Sequence, residues 1–373
     1  MRPVTRLAAY ALLHPSADDG PGDRVVLVEA SRRSDLAGRW FLPGGGVDHG
    51  EHPDEAVVRE VAEETGLQVR PVALRQVLTD VLDLPHRGVR LHTVRLVYDV
   101  EVLGGTLRTE VDGSSERLAV LTPDEAAGLP LAPYAARALG LPEVELGPLA
   151  PDLDALAPLS GVAGGTVPGA AADGTADAVP RLRVGAYGLA LRGRADGADG
   201  ADGAGGAGGA DGADGADGAD GADGADGADG VDGAGGAEDA EVLLTRLADH
   251  VGGPGRWTLP GGGIDHGETV EDGLVRELHE ETGLPVLGSR LVGASSRHFV
   301  GRSPAGVLED FHGVRVVFEV TVGAGRPEVV EVGGSTAEAR WVALADLPGM
   351  PVGSLVRDAL VLLGHPAART IVR

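Results

Sequence analysis

The chain has 373 residues, room for about two domains at the usual ~100–200 residues each. Its formal charge is −26, but half of that excess sits in residues 195–239; the −13 left over makes a poor binder of nucleic-acid backbone, so duplex nucleic acid is not an expected partner. The absence of cysteine excludes disulfides and thiol-based metal or nucleophile sites.

The N-terminus, Met1-Arg2-Pro3-Val4-Thr5-Arg6, leads into a short amphipathic run rather than the apolar core of a leader peptide. No apolar run approaches the ~20 residues that span a bilayer. The expectation is a cytoplasmic protein with no membrane partner. Residues 4–13 and 24–30 read as strands joined by a turn-rich loop. Trp40-Phe41-Leu42-Pro43 is a short extended piece leading to the triplet Gly44-Gly45-Gly46. Pro53 followed by Asp54-Glu55 has the make-up of a first helical turn, with acids at the positive end of the dipole. The helix is predicted to run to Thr65 and stop at Gly66. Residues 67–79, 90–103 and 117–121 then read as strands, and 131–139 as a closing helix.

Residues 145–180 are rich in Pro, Ala and Gly with little periodicity and read as a flexible linker. From Arg181 the pattern restarts. Gly38–Leu67 aligned on Gly255–Leu284 is identical at 20 of 30 positions, and LHTVRLVYDV (91–100) faces FHGVRVVFEV (311–320). The expected organisation is one globular unit at 1–144, the linker, and a second copy at 181–373, with an intramolecular pseudo-dimer of the two open as an arrangement. The Ala-Asp-Gly tract at 195–239 falls between the first two strands of the second copy. Such a repeat buries no apolar surface and repels itself, so a disordered loop insertion is expected.

On a helical wheel, Val57 and Val61 form an apolar stripe with Val58 at its edge. Glu60, Glu63 and Glu64 fall within about a 100° arc, at i, i+3 and i+4. Three like charges at that spacing cost stability unless a cation lies among them, and Glu64 adjoins the apolar stripe, where an unpaired carboxylate is expensive. Arg59 offsets one charge. The remainder calls for a hard divalent cation with oxygen ligands, Mg²⁺ or Mn²⁺. The second helix repeats the case with Arg276, Glu277, Glu280 and Glu281 over Leu274, Val275 and Leu278. The glycine triplet before each helix allows close approach of a ligand, with carbonyls for a metal or amides for a phosphate. No Gly-Lys-Ser/Thr follows, so it is not a P-loop. Together these features suggest metal-assisted attack of water on phosphorus.

Both Gly45–Leu67 and Gly262–Leu284 resemble complete Nudix boxes, the signature of Nudix hydrolases. The resemblance covers roughly 1–142 and 181–365. It implies an α/β fold, an α/β/α sandwich around a mixed sheet with the box as loop-helix-loop, and hydrolysis of a nucleoside diphosphate linked to another moiety. By the same resemblance, Glu60, Glu63 and Glu64 ligate or organise the metals, Glu60 and Glu64 most directly. Arg59 orients the glutamates, Glu51 braces loop and helix, and the Gly44/Gly45 backbone completes the metal shell. The second copy offers Glu277, Glu280, Glu281, Arg276, Glu268 and Gly261/Gly262. A glutamate outside the box is often a ligand or base in this family, and Glu116 and Glu338 are candidates. The alternative is a nucleotide-sensing module in which one or both copies bind without turnover. A third reading keeps the fold but isomerises a diphosphate.

Other residues carry blander readings beside the functional ones. Trp40 and Trp257, just before the glycines, either stack a base of the substrate or fill the core, with packing preferred. His49 and His266 are expected on an exposed loop in a surface role, and His92 and His312 at strand starts in a structural one.

Overall fold

Two stretches of the chain fold alike in their sheets and box helices. The structure is a computed structural model that describes residues 1–15, 24–110, 113–143, 145–146, 149, 151–163, 178–193, 240–303 and 305–371. The Ala-Asp-Gly tract, expected to be a disordered loop, lies outside the described residues, as does 164–177 of the expected linker.

The N-terminal unit runs β1 (Arg2–Leu12), β2 (Val25–Ala30), β3 (Trp40–Phe41), β4 (Gly44–Gly46), α1 (Pro53–Thr65), β5 (Leu67–Leu84), β6 (Val89–Gly105), β7 (Ser115–Leu121), α2 (Pro123–Ala127) and α3 (Pro133–Ala138). The C-terminal unit runs β8 (Val179–Leu189), β9 (Leu191–Gly193), β10 (Ala240–Leu247), β11 (Trp257–Thr258), β12 (Gly261–Gly263), α4 (Val270–Thr282), β13 (Val286–Arg302), β14 (Leu308–Val322), β15 (Thr336–Ala343) and α5 (Ser354–Leu362). In each, a four-stranded mixed sheet (β4-β1-β6-β5, and β12-β8-β14-β13) carries one parallel pair at its centre. A second, antiparallel sheet with shorter strands (β3-β2-β7, and β11-β10-β15 with β9 also paired to β10) lies beside it. None of the described helices is long and apolar enough to cross a membrane.

Helix α1 begins where local chemistry dictates. His52 accepts the Asp54 amide on its side chain, Glu55 reaches back to the His52 amide, and Pro53 occupies the first turn. It ends at Gly66, whose φ of +73° admits a left-handed residue that a side chain would strain. Val57 and Val61 are fully buried, and they share one apolar cluster with Leu274 and Leu278 of α4. The two helices therefore contribute to a core that continues from one unit into the other.

The units also meet through their box loops. His49 sits against His298 and His312 at ring-centroid separations of 5.4 and 5.5 Å, and His266 against His92 at 5.4 Å. A Cβ on Gly50 would strike the His298 ring, and one on Gly267 would meet Val81. The two contacts are related: the loop of each copy touches the long antiparallel pair of the other.

Part of the expected linker is tied to the N-terminal unit. Leu149 and Leu159 pack on Leu84, Val89 and Leu91, and the Leu7 amide donates to the Gly161 carbonyl at 2.8 Å. The low-complexity composition hid two leucines spaced to cover an apolar patch left open by β5 and β6.

One difference between the copies has a packing cause. Gly273 stands in α4 where α1 has Ala56, and a Cβ there would lie 2.8 Å from the Ile264 Cγ2. The N-terminal copy has the smaller Val47 at the matching position. Gly273→Ala alone is expected to give no gain in stability. The ~1 kcal/mol of helix propensity that the alanine adds is offset by the contact with Ile264, readable as an unraised midpoint in chemical denaturation.

Candidate active site

Each box helix projects an arginine whose planar fork fixes the glutamates around it. Arg59 donates from Nε and Nη2 to the two oxygens of Glu51, each at 2.9 Å, from Nη1 to Glu60 Oε1 at 2.9 Å, and from Nη2 to the Gly46 carbonyl at 3.0 Å. Glu63 lies 3.5 Å away, one helical turn on. Glu51 also accepts the Asp48 amide at 2.9 Å, closing the loop. Burial alone would raise the Glu51 carboxyl, but the Arg59 and Asp48 hydrogen bonds bring it below the usual range. Arg276 repeats the pattern on Glu268 (2.9 Å twice), Glu277 (2.8 Å), Glu280 (3.2 Å) and the Gly263 carbonyl (3.0 Å).

The other carboxylates are held where ionisation is costly. A Cβ on Gly45 would lie 2.5 Å from the Glu60 carboxyl carbon, and one on Gly262 would lie 2.4 Å from a Glu277 oxygen. Only glycine lets the strand approach this closely. Burial pushes Glu60 up to about 7 against the pull of Arg59. Glu64, 4% exposed, accepts the Gly44 amide at 2.9 Å and the Ser114 hydroxyl at 3.0 Å. Burial first and neighbouring Glu60 second still push it up to about 8. Glu281 accepts the Gly261 amide at 2.9 Å and the Thr336 hydroxyl, and burial pushes it up to about 7. Glu277 is raised by burial as well. Glu63 and Glu280 sit more openly at the rim. Neighbouring buried carboxylates that resist ionisation together are a donor set suited to a divalent cation, whose charge would hold both ionised.

In the N-terminal unit these groups line a cleft of about 390 Å³ with Tyr10, Gly44 and Gly45. Its walls carry Arg6, Arg87 and Arg95. Arg6 donates to the Ser160 carbonyl at 3.0 Å, and Arg87 to Asp35 at 2.7 Å and the Ala157 carbonyl at 2.8 Å. Arg95 pairs with Asp80 and lies over the Tyr134 ring at 4.4 Å. Ala157 to Ser160, from the expected linker, form part of the wall.

Outside the boxes, the two tryptophans pack as preferred and the two glutamates do not enter the cleft. Trp40 and Trp257 are buried in the cores beneath the shorter-stranded sheets, and Trp40 does not line the cleft. Glu116 is exposed on β7, and Glu338 is paired with Arg246 at 3.2 Å. Among the described residues, the glutamate outside the box that does line the cleft is Glu110, which accepts from Ser115 Oγ at 3.2 Å and raises Glu64 through like charge. Its counterpart by alignment is Glu331. The repeated Glu-Val-x-Gly-Ser at 110–114 and 331–335 was the available signal. His49, expected at the surface, has a buried side chain because the other unit covers its loop, whereas His266 is exposed. His92 and His312 are buried in their strands.

The family model described as NUDIX domain matches residues 5–140 and 233–359, well over half of the chain. The chain belongs to the Nudix family. Among curated Nudix relatives, an ADP-ribose pyrophosphatase of Methanocaldococcus jannaschii is 38% identical over 110 residues, covering 28% of this chain and 63% of the relative. An 8-oxo-dGDP phosphatase of Mus musculus is 36% identical over 96 residues, covering 26% of this chain and 27% of the relative. The chain thus spans less than two thirds of the length of these relatives. Among solved Nudix structures, a MutT hydrolase from Burkholderia pseudomallei is 28% identical with a TM-score of 0.30, covering 36% of this chain and 96% of that one. The Nudix match falls once on each copy, so the duplication is one of whole Nudix domains.

Proposed function

We propose that this chain hydrolyses a phosphoanhydride bond in a nucleoside diphosphate derivative, using Mg²⁺ or Mn²⁺ held by the box glutamates. The observation that carries the reading is the pair of buried carboxylates, Glu60 and Glu64, in an arginine-walled cleft of nucleotide-binding size. ADP-ribose and 8-oxo-dGDP, named for the two relatives, share a nucleoside diphosphate, and that shared chemistry supports the substrate class proposed.

Glu60 and Glu64 would be the ligands nearest the cation, with Glu63 at the rim, and Glu277, Glu281 and Glu280 the corresponding set. A bound divalent cation supplies positive charge to the diphosphate and to the attacking water. The protein's own groups do the rest. Arg59, locked by Glu51, holds Glu60 in place, so the ligand geometry survives the repulsion among the glutamates. Arg6 and Arg95 face the negative charge of the diphosphate, Arg95 kept in place by Tyr134 and Asp80. Hydrolysis forms a bond from the water oxygen to one phosphorus and breaks the bond from that phosphorus to the bridging oxygen. The departing phosphate keeps the bridging electrons, and the water proton passes to a carboxylate of the cleft, for which Glu110 is placed.

The test uses the full chain with Mg²⁺ or Mn²⁺ and a panel containing ADP-ribose, 8-oxo-dGDP and nucleotide sugars. Metal-dependent release of a nucleoside monophosphate is expected for at least one member. Tight binding across the panel without turnover would replace hydrolysis by ligand sensing.

A further inference from the structure

Among the described residues, one set of three metal-ligating side chains converges, and it uses none of the box glutamates. It consists of His49, His298 and Asp310, each offering one ligand atom, all within 4.8 Å of one another. His49 comes from the box loop of the N-terminal unit, and the other two from β13 and β14 of the C-terminal unit. His298 lies opposite His312 and Asp310 opposite Val300 in the β13–β14 ladder, so His298 and Asp310 are diagonal neighbours on one face.

We propose that this seam is a binding site for a Zn²⁺-class transition-metal ion, clamping the N-terminal box loop to the C-terminal sheet. The His49 side chain is only 6% exposed, and neither ring nitrogen has a hydrogen-bond partner. A buried imidazole left this way carries an uncompensated desolvation cost. Its Nε2 lies 3.3 Å from Asp310 Oδ1, and His298 Nε2 approaches the same oxygen at 2.6 Å. Ligands about 2.0–2.1 Å from a tetrahedral ion sit roughly 3.3 Å from each other, so His49 and Asp310 already have the required separation. His298 has to open from the carboxylate by about 0.7 Å, which its partly exposed ring permits. Two imidazoles and one carboxylate form a donor set for Zn²⁺, Co²⁺ or Ni²⁺ rather than Mg²⁺. His312 closes one side of the site, its Nε2 engaged with Ser296 Oγ at 3.1 Å.

The duplication supplies an internal control. At the opposite seam His266 meets His92 as His49 meets His312, but the ladder puts Val81 opposite His92 where the other copy puts His298 opposite His312. Arg90 stands at the position of Asp310. The loop histidine and the strand histidine came with the repeat, whereas the two further ligands exist on one side only. The chain therefore binds one such ion.

The experiment titrates tag-free full-length protein, stripped by chelator, with Zn²⁺ or Co²⁺ alone. Co²⁺ bound through imidazoles at four-coordinate geometry absorbs strongly in the visible, unlike Co²⁺ on carboxylates, so the box sites do not interfere. One equivalent with that spectrum is expected. His298→Val and Asp310→Arg, which install the residues tolerated at the other seam, should abolish it, while His266→Ala leaves it intact. Val81→His with Arg90→Asp should raise the count to two. Failure of the parent protein to give the spectrum, or its persistence in both loss variants, overturns the proposal. Hydrolysis on the box glutamates is a separate readout, so either reading can fail without the other.

Discussion

Replacing Glu64 by Gln is expected to remove the N-terminal unit's share of hydrolysis, by a factor on the order of 10²–10³. The amide oxygen still accepts the Gly44 N–H, and the amide NH2 can donate to the Ser114 hydroxyl oxygen, so the local shape survives while the charge that holds the cation is lost. Glu281→Gln should do the same to the C-terminal share, because its carboxylate has the same backbone partner in Gly261. The double variant is expected to be inert. Steady-state kcat of the three variants partitions turnover between the copies. Full metal-dependent activity in the double variant would overturn the mechanism.

The second large effect is on stability without divalent cations. Glu60 titrates at about 7, Glu64 at about 8 and Glu281 at about 7 in the folded chain, all above the ~4.3 of an unfolded glutamate. The folded state thus holds these protons more tightly than the unfolded one. Their contribution is fully present below about pH 4.3 and is lost as pH rises through 7 to 8. In chelator, the melting temperature is therefore expected to fall between about pH 5 and pH 8, for a loss of a few kcal/mol. Added Mg²⁺ or Mn²⁺ should restore most of it at pH 8, because the cation binds the ionised cluster of the folded state alone. In chelator at pH 8, Glu64→Gln should melt above the parent chain, even though it is less active. A flat melting profile across this range would contradict the burial of these carboxylates.

These two predictions concern residues that were legible before any fold was known. The spacing of Arg59, Glu60, Glu63 and Glu64 works through one turn of helix, and the capping at His52 and Gly66 is local as well. Contacts of this kind depend on backbone period, which sequence carries directly. The doubling of the unit followed from the repeat, and the mixed sheet from the resemblance of the boxes, whereas the order of its four strands is a tertiary fact.

What sequence could not assign were positions defined by an encounter of distant segments. Glu116 and Glu338 are the glutamates the resemblance offers outside the boxes, yet Glu116 is exposed on β7, Glu338 pairs with Arg246, and Glu110 lines the cleft. Trp40 and Trp257 adjoin the glycines in sequence and fill the cores, the reading preferred for them, but which cluster each joins is set by packing. His49 reads as a loop histidine until the other copy closes over it. The sequence alone determined that the box glutamates share one face and call for a counter-charge, because residues three and four apart on a helix are neighbours. The tertiary structure decided which carboxylate joins them, which segment walls the cleft and which histidines meet at the seam, because those depend on register and packing between residues far apart in the chain.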